Sequence, residues 1–179
     1  MPQNRPWSLI GLMLTGTLLD QGSKWLAKTQ LDPVHSLPII PQVFQLTLSF
    51  NTGAAFSMFR QQPHLLAAFT CVLFFALLAY GLRKQYHLPG ERFAMALILG
   101  GALGNLLDRL FAGSVTDFFD VIAIHYPIFN VADSLIFIGV FWLVIQYLRQ
   151  PSALESSADA DPPEHCGTAT HHDIQPCSH

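Results

Sequence analysis

The sequence predicts an all-α membrane protein with four transmembrane helices, a small β-sheet and a short helix lying on the membrane. Three observations carry this. The 179 residues are 51% hydrophobic and only 12% charged, against about 25% charged for an ordinary soluble domain. Four stretches are long and apolar enough for membrane helices. Two connecting segments are instead too rich in proline or in β-formers to continue a helix.

The first helix is expected over residues 7–28. Thirteen uncharged residues follow Arg5 and Pro6, from Trp7 to Leu19. No small-x-small cleavage site comes after them, which argues against a removable signal peptide. The helical pattern runs on through Asp20 and Lys24, which are four apart and share a face, acid first. Residues 29–63 carry Pro33, Pro38, Pro41 and Pro63 and cannot form one long helix. Within them 43–50 reads as a strand, 51–53 (Asn-Thr-Gly) as a turn, and 54–59 (AAFSMF) as a short interfacial helix.

The second helix, 65–82, is eighteen residues without a charge. The third is expected over 93–111. Its Gly100 and Gly104 form GxxxG, small enough to let another helix approach closely. Asn105, Asp108 and Arg109 lie on one face near its end. Residues 115–124 are β-rich and are expected to pair with the strand near Val43. The fourth helix is expected over 131–148, opened by Asn130 as N-cap with Asp133 at N3. Residues 1–149 form the membrane domain. Residues 150–179 have no Lys or Arg and read as a disordered tail.

Four helices place both termini on one side. Arg5, Arg83, Lys84, Arg92 and Arg149 flank that side; Lys24, Lys28, Arg60 and Arg109 flank the other. Lys24 and Arg109 sit beside acids, so the positive-inside rule sets both termini in the cytoplasm. Asp20, Asn51, Asp108, Asp117 and Asp133 then meet at the extracytoplasmic face. Ionisable groups so close to lipid are costly and point to function.

Several chemistries are excluded. A net charge of −3 offers no basic face for nucleic acid. There is no GxSxG and no HExxH, and His35, His64, His87 and His125 are scattered. Cys71 lies in an apolar run and reads as a small hydrophobe. His165, Cys166, His171, His172, Cys177 and His179 in the tail are soft metal ligands, but their spacing matches no standard zinc pattern. No cofactor is expected. What remains is a carboxylate pair. Two close carboxylates share a proton, so one activates water and the other donates to the attacked carbonyl. Asp117 and Asp133 suit those roles, with Asp120 as a solvated neighbour. For either acid alone, the competing reading is a loop acid or a helix cap.

Four stretches, LDQGSKWLA (19–27), FNTGAAFS (50–57), GNLLDRL with GSVTDFF (104–119) and FNVADSLIFIG (129–139), occur in the order found in lipoprotein signal peptidases. The chain resembles that family, the signal peptidase II membrane aspartyl proteases, over residues 10–148. The resemblance implies four transmembrane helices with an extracytoplasmic β-sheet cradle and a short interfacial helix, in the bacterial inner membrane. It implies cleavage of prolipoproteins before a diacylglyceryl-modified cysteine, with the signal peptide's helix expected to dock against the bundle at Gly100 and Gly104. It assigns catalysis to Asp117 and Asp133, contacts around the substrate to Asn51, Asn105, Arg109 and Asn130, and supporting roles to Asp20, Lys24 and Asp108. The expected partners are those prolipoproteins and membrane lipids, with the enzyme a monomer. The rival readings are a proton-coupled small transporter, whose acids would sit near the midplane, and an inactive scaffold that binds lipoproteins.

Overall fold

A computed structural model describes residues 6–53, 63–88 and 90–149. In chain order the elements are α1 (Pro6–Gln30), β1 (Leu37–Ile40), β2 (Phe44–Asn51), α2 (Pro63–Arg83), α3 (Glu91–Phe111), β3 (Val115–Asp120), a single 3-10 turn (Ile122–Ile124) and α4 (Val131–Leu148). Among the described residues, Leu65–Arg83, Glu91–Phe111 and Val131–Leu148 are long and apolar enough to cross a membrane. The 25 residues of α1 span about 37 Å at 1.5 Å per residue. Its length suffices, and its polarity comes from Asp20, Lys24 and Lys28.

The helices are apolar outside, and their buried polar groups, Asp20, Lys24, Asn105 and Asp108, gather at the end of the bundle nearest the sheet. Leu18 is 71% exposed and Phe137 70%, a surface suited to lipid rather than water. Helix α3 is the spine: it packs against α1, α2 and α4. Leu9, Met13, Phe74, Tyr86, Met95, Leu99 and Leu106 form the apolar core between α1, α2 and α3. At the end of the bundle away from the sheet, Lys84 Nζ lies 3.0 Å from Glu91. Tyr147 Oη donates to the same carboxylate at 3.1 Å, joining α4 to it.

Small residues set the helix crossings. A Cβ on Gly100 would stand 2.8 Å from the Met13 carbonyl oxygen and 3.4 Å from Gly16 Cα in α1. One on Gly101 would collide with the Ala132 carbonyl of α4, and one on Gly104 with the Asp20 carboxylate. The expectation that Gly100 and Gly104 receive a substrate helix is therefore corrected. The chain's own α1 fills that face, and Thr17 Oγ1 donates to Gly100 O at 3.0 Å across the contact.

The sheet is antiparallel in the order β1-β2-β3. Strand β1 was hidden in the sequence by Pro38 and Pro41. It tolerates Pro38 because it is an edge strand. The β-rich stretch 115–124 stops as a strand at Asp120 and closes into the 3-10 turn. The interfacial helix expected at 54–59 lies outside the described residues. Between β2 and β3 the register runs Leu46↔Phe119, then Ser49↔Asp117, so β2 carries one extra residue there. A one-residue offset moves side chains to the opposite face. It puts polar Ser49 and Asn51 on the face of Asp117, where Leu48 would otherwise stand. Gly113 (φ 72) reverses the chain from α3 into β3.

A methyl group at residue 101 must displace the Ala132 backbone. Gly101→Ala is expected to cost about 1–3 kcal/mol, read as a lowered thermal unfolding midpoint in detergent. Gly11→Ala meets nothing within 4 Å and leaves the midpoint unchanged or higher.

Candidate active site

The site is built where α1, α3, β3 and the start of α4 converge. Residue 117 is fixed by β3. Residue 133 is fixed by a return of the chain: Phe129 pairs with Phe119 as an isolated bridge, its N–H donating to Phe119 O at 3.0 Å. This sets Asn130 at the mouth of α4. Asp133 N–H donates to Asn130 Oδ1 at 3.0 Å, and Asn130 N–H donates to Asp133 Oδ2 at 3.2 Å. The pair is a reciprocal helix cap. The capping and functional readings of Asp133 are thus compatible, since its Oδ1 is still engaged elsewhere.

Asn130 joins the two acids. Its Nδ2 donates to Asp117 Oδ1 at 2.6 Å. Asn51 Nδ2 donates to the other oxygen of Asp117 at 3.1 Å, and Asn105 Nδ2 donates to Asp133 Oδ1 at 2.8 Å. Behind them lies a buried charge cluster. Lys24 Nζ is 2.8 Å from Asp20 and 3.1 Å from Asp108, with Lys24 only 1% exposed and Asp20 fully enclosed. Asp20 and Lys24, four apart on one face of α1, therefore pair in the interior. Asp20 Oδ1 accepts from Ala132 N–H at 2.9 Å, satisfying a first-turn amide of α4. Asp108 Oδ2 accepts from Thr116 N–H at 3.0 Å, tying α3 to β3. Gln21, given no role by the sequence reading, donates to the Gly104 carbonyl at 3.1 Å and to Asp108 at 3.2 Å. Its position one residue after Asp20 was the available signal.

Asn51, Arg109, Asp117 and Asp133 line a cavity of about 630 Å³. Its remaining wall is apolar and runs along α4 through Ile136 and Phe137 to Val140. Arg109 donates to the Asn105 carbonyl at 3.1 Å. A second cleft of about 410 Å³ meets the first at Asp133 and is lined by Val121, Ile124 and Ile138 among others. Asp120 lies apart from both. It is not the solvated acid expected, because Gln45 and Thr47 of β2 donate to it at 2.7 and 3.0 Å. Among the described residues no cluster of His, Cys, Asp or Glu is arranged to hold a metal. The ligand-rich tail, His165 to His179, lies outside them.

Burial pushes Asp117 up from its ordinary 3.8 to about 6. The charge of Asp133 adds to the rise; the amides of Asn51 and Asn130, and Lys24, oppose it. Asn130 holds both acids, its side-chain amide on Asp117 and its backbone N–H on Asp133, and two neighbouring carboxylates can share a proton while one stays ionised. That is the equipment for activating water against a carbonyl without a metal.

Membrane-length helices with two acids, one on β3 and one at the start of α4, at the head of an apolar cleft fit a membrane aspartic peptidase. The profile of the signal peptidase (SPase) II family matches residues 12–149. The lipoprotein signal peptidase of Halalkalibacterium halodurans is 36% identical over 145 residues, 80% of this chain and 93% of that protein. The one from Acinetobacter baumannii is 40% identical over 168 residues, 89% and 92% of the two chains. A solved bacterial membrane enzyme shares the fold with a TM-score of 0.71 at 28% identity, over 87% of this chain and 93% of the other. The chain belongs to the signal peptidase II family and is an aspartic endopeptidase. This favours the peptidase over the transporter and scaffold readings.

Asn51 donates to the ionised form of Asp117, so Asn51→Ala should raise the Asp117 midpoint above about 6. An infrared titration of the carboxyl band, assigned by its loss in Asp117→Asn, reads the shift. Asp117 holds its proton more tightly folded than unfolded. Its contribution to stability is therefore full below 3.8 and lost as pH rises through about 6. Asp117→Asn should flatten that slope.

Proposed function

We propose that Asp117 and Asp133 are the catalytic pair with which this signal peptidase II removes signal peptides from prolipoproteins. The observation that supports it most is their linkage through Asn130, at the head of a cleft running along the lipid-facing side of α4. A scissile bond at the membrane surface needs its acids there, and the signal peptide's apolar helix needs an apolar wall beside them.

In this reading Asp117, raised by burial, holds the proton, and ionised Asp133 takes one from a water molecule. The oxygen of that water adds to the scissile carbonyl carbon while Asp117 donates its proton to the carbonyl oxygen. The tetrahedral diol then collapses. Asp133 passes its proton to the departing amine, Asp117 regains one from a hydroxyl, and the carbon–nitrogen bond breaks. Asn51, Asn130 and Arg109 present donors toward the oxygens that gain charge.

We further propose that α1 is the fourth membrane helix, with Asp20 and Lys24 shielded by α3. Both termini then face the cytoplasm and the sheet faces the opposite side. The bond cleaved precedes a cysteine carrying diacylglycerol, whose chains stay in lipid, and one copy of the chain suffices. The tail beyond residue 149 is dispensable for cleavage.

Cleavage of a diacylglyceryl-modified prolipoprotein by purified protein in nanodiscs tests the assignment. Asp117→Asn and Asp133→Asn should each lower the rate by about 10³-fold or more while still unfolding cooperatively. Asp120→Asn should cleave normally. Cleavage by both former variants would end the aspartyl assignment. Reporter fusions at residue 149 and within 32–36 should report opposite sides of the membrane.

A further inference from the structure

The site depends on three asparagine amides, and each has its orientation imposed from outside. An amide end that faces an obligatory donor must be the oxygen. For Asn130 that donor is Asp133 N–H at 3.0 Å, and for Asn51 it is Gly53 N–H at 3.0 Å. Both are backbone groups from the same short turns. Asn105 differs. It sits within α3, about two turns from its end, where the backbone N–H groups are engaged in the helix. Its oxygen faces the ammonium of Lys24 at 2.9 Å, a group that can only donate. Asn130 Nδ2 lies 3.2 Å from the same oxygen.

We propose that Lys24 is a positioning residue for the peptidase reaction: by claiming Asn105 Oδ1 it turns the Asn105 amide so that Nδ2 donates to Asp133. Lys24 forms its ion pairs with Asp20 and Asp108 and none with Asp117 or Asp133, and its charge acts on Asp117 only from a distance. It acts through Asn105, at 2.9 Å on one side and 2.8 Å on the other. Asp20 and Asp108 hold the ammonium in place from two further directions, at 2.8 and 3.1 Å. Without the ammonium, the Asn105 oxygen keeps only the 3.2 Å contact from Asn130 Nδ2, a group already committed to Asp117 at 2.6 Å, and the amide is held less firmly against turning its oxygen toward ionised Asp133, a repulsive contact. The inference rests on Asp133 being catalytic.

The test is a double-mutant cycle on prolipoprotein cleavage, with kcat and KM measured separately. Lys24→Gln alone would leave Asp20 and Asp108 buried without a counter-charge, so the variant is Asp20→Asn/Lys24→Gln, which keeps the net charge. It and Asn105→Ala should each lower kcat by about 10- to 100-fold, the worth of one hydrogen bond to a charged group. KM should change little. The triple variant should be no more than about 3-fold slower than Asn105→Ala, because both changes remove one path. Multiplied losses, or losses confined to KM, would overturn the proposal.

Asn105→Asp covers the case of a lysine variant that does not fold. It keeps an oxygen for Lys24 but gives Asp133 an acceptor in place of a donor. It should fold and lose kcat to the same extent; a normal rate overturns the proposal. Asp133→Asn run alongside separates the two failures. If it still cleaves, the catalytic reading fails. If it is inert and the cycle is additive, only the role of Lys24 does.

Discussion

One buried ammonium group organises this end of the molecule. Lys24 lies between Asp20 on its own helix and Asp108 on α3, out of contact with water. Charges taken from water cost several kcal/mol each unless every one is matched. Here the matching reaches every neighbouring element. Asp20 accepts from the first turn of α4, Asp108 from β3, and Lys24 gives its remaining proton to Asn105. Removing the ammonium strands two buried carboxylates, and removing either carboxylate releases the backbone amide it holds in α4 or β3. The network is therefore poor as a source of net stability and strong as a constraint on geometry, which is what a carboxylate pair requires of its surroundings.

The rest of the fold makes room for that cluster. Glycines at 16, 100, 101 and 104 bring α1 and α4 against α3 closely enough for short side chains to meet across the gaps. Bulky apolar residues are turned outward, toward the acyl chains. The polar groups of a peptidase are thus kept at the end of an apolar bundle, beside a wall of Ile136, Phe137 and Val140. In the proposed reading a signal peptide emerging from lipid meets the wall first and the acids last.

Much of this was legible in the residues. The lengths of α2 and α4 followed from uninterrupted apolar runs, and the cap at Asn130 from its spacing to Asp133. The gathering of Asp20, Asn51, Asp108, Asp117 and Asp133 at one end followed from helix count alone. What was not legible depends on partners distant in sequence. Strand β1 carries prolines that rule against a strand until its edge position is known. Asp120 reads as a loop acid until Gln45 and Thr47 are seen across the sheet. The GxxxG face reads as open until α1 is placed on it. Gln21 has no pattern of its own, and its role is set by a helix eighty residues away.

The extra residue in β2 between Leu46 and Ser49 has a consequence for how this protein can vary. A sheet gains little from a bulge, and a one-residue slip of β2 that removed it would leave the strands equally well paired. It would also rotate Asn51 away from Asp117 and bring Leu48 in opposite the carboxylate. The register of this strand is therefore held by the polar contact to Asp117, while its backbone pairing is indifferent to it. With Asp117 as a catalytic acid, such a slip costs little in the sheet and is felt in peptide cleavage.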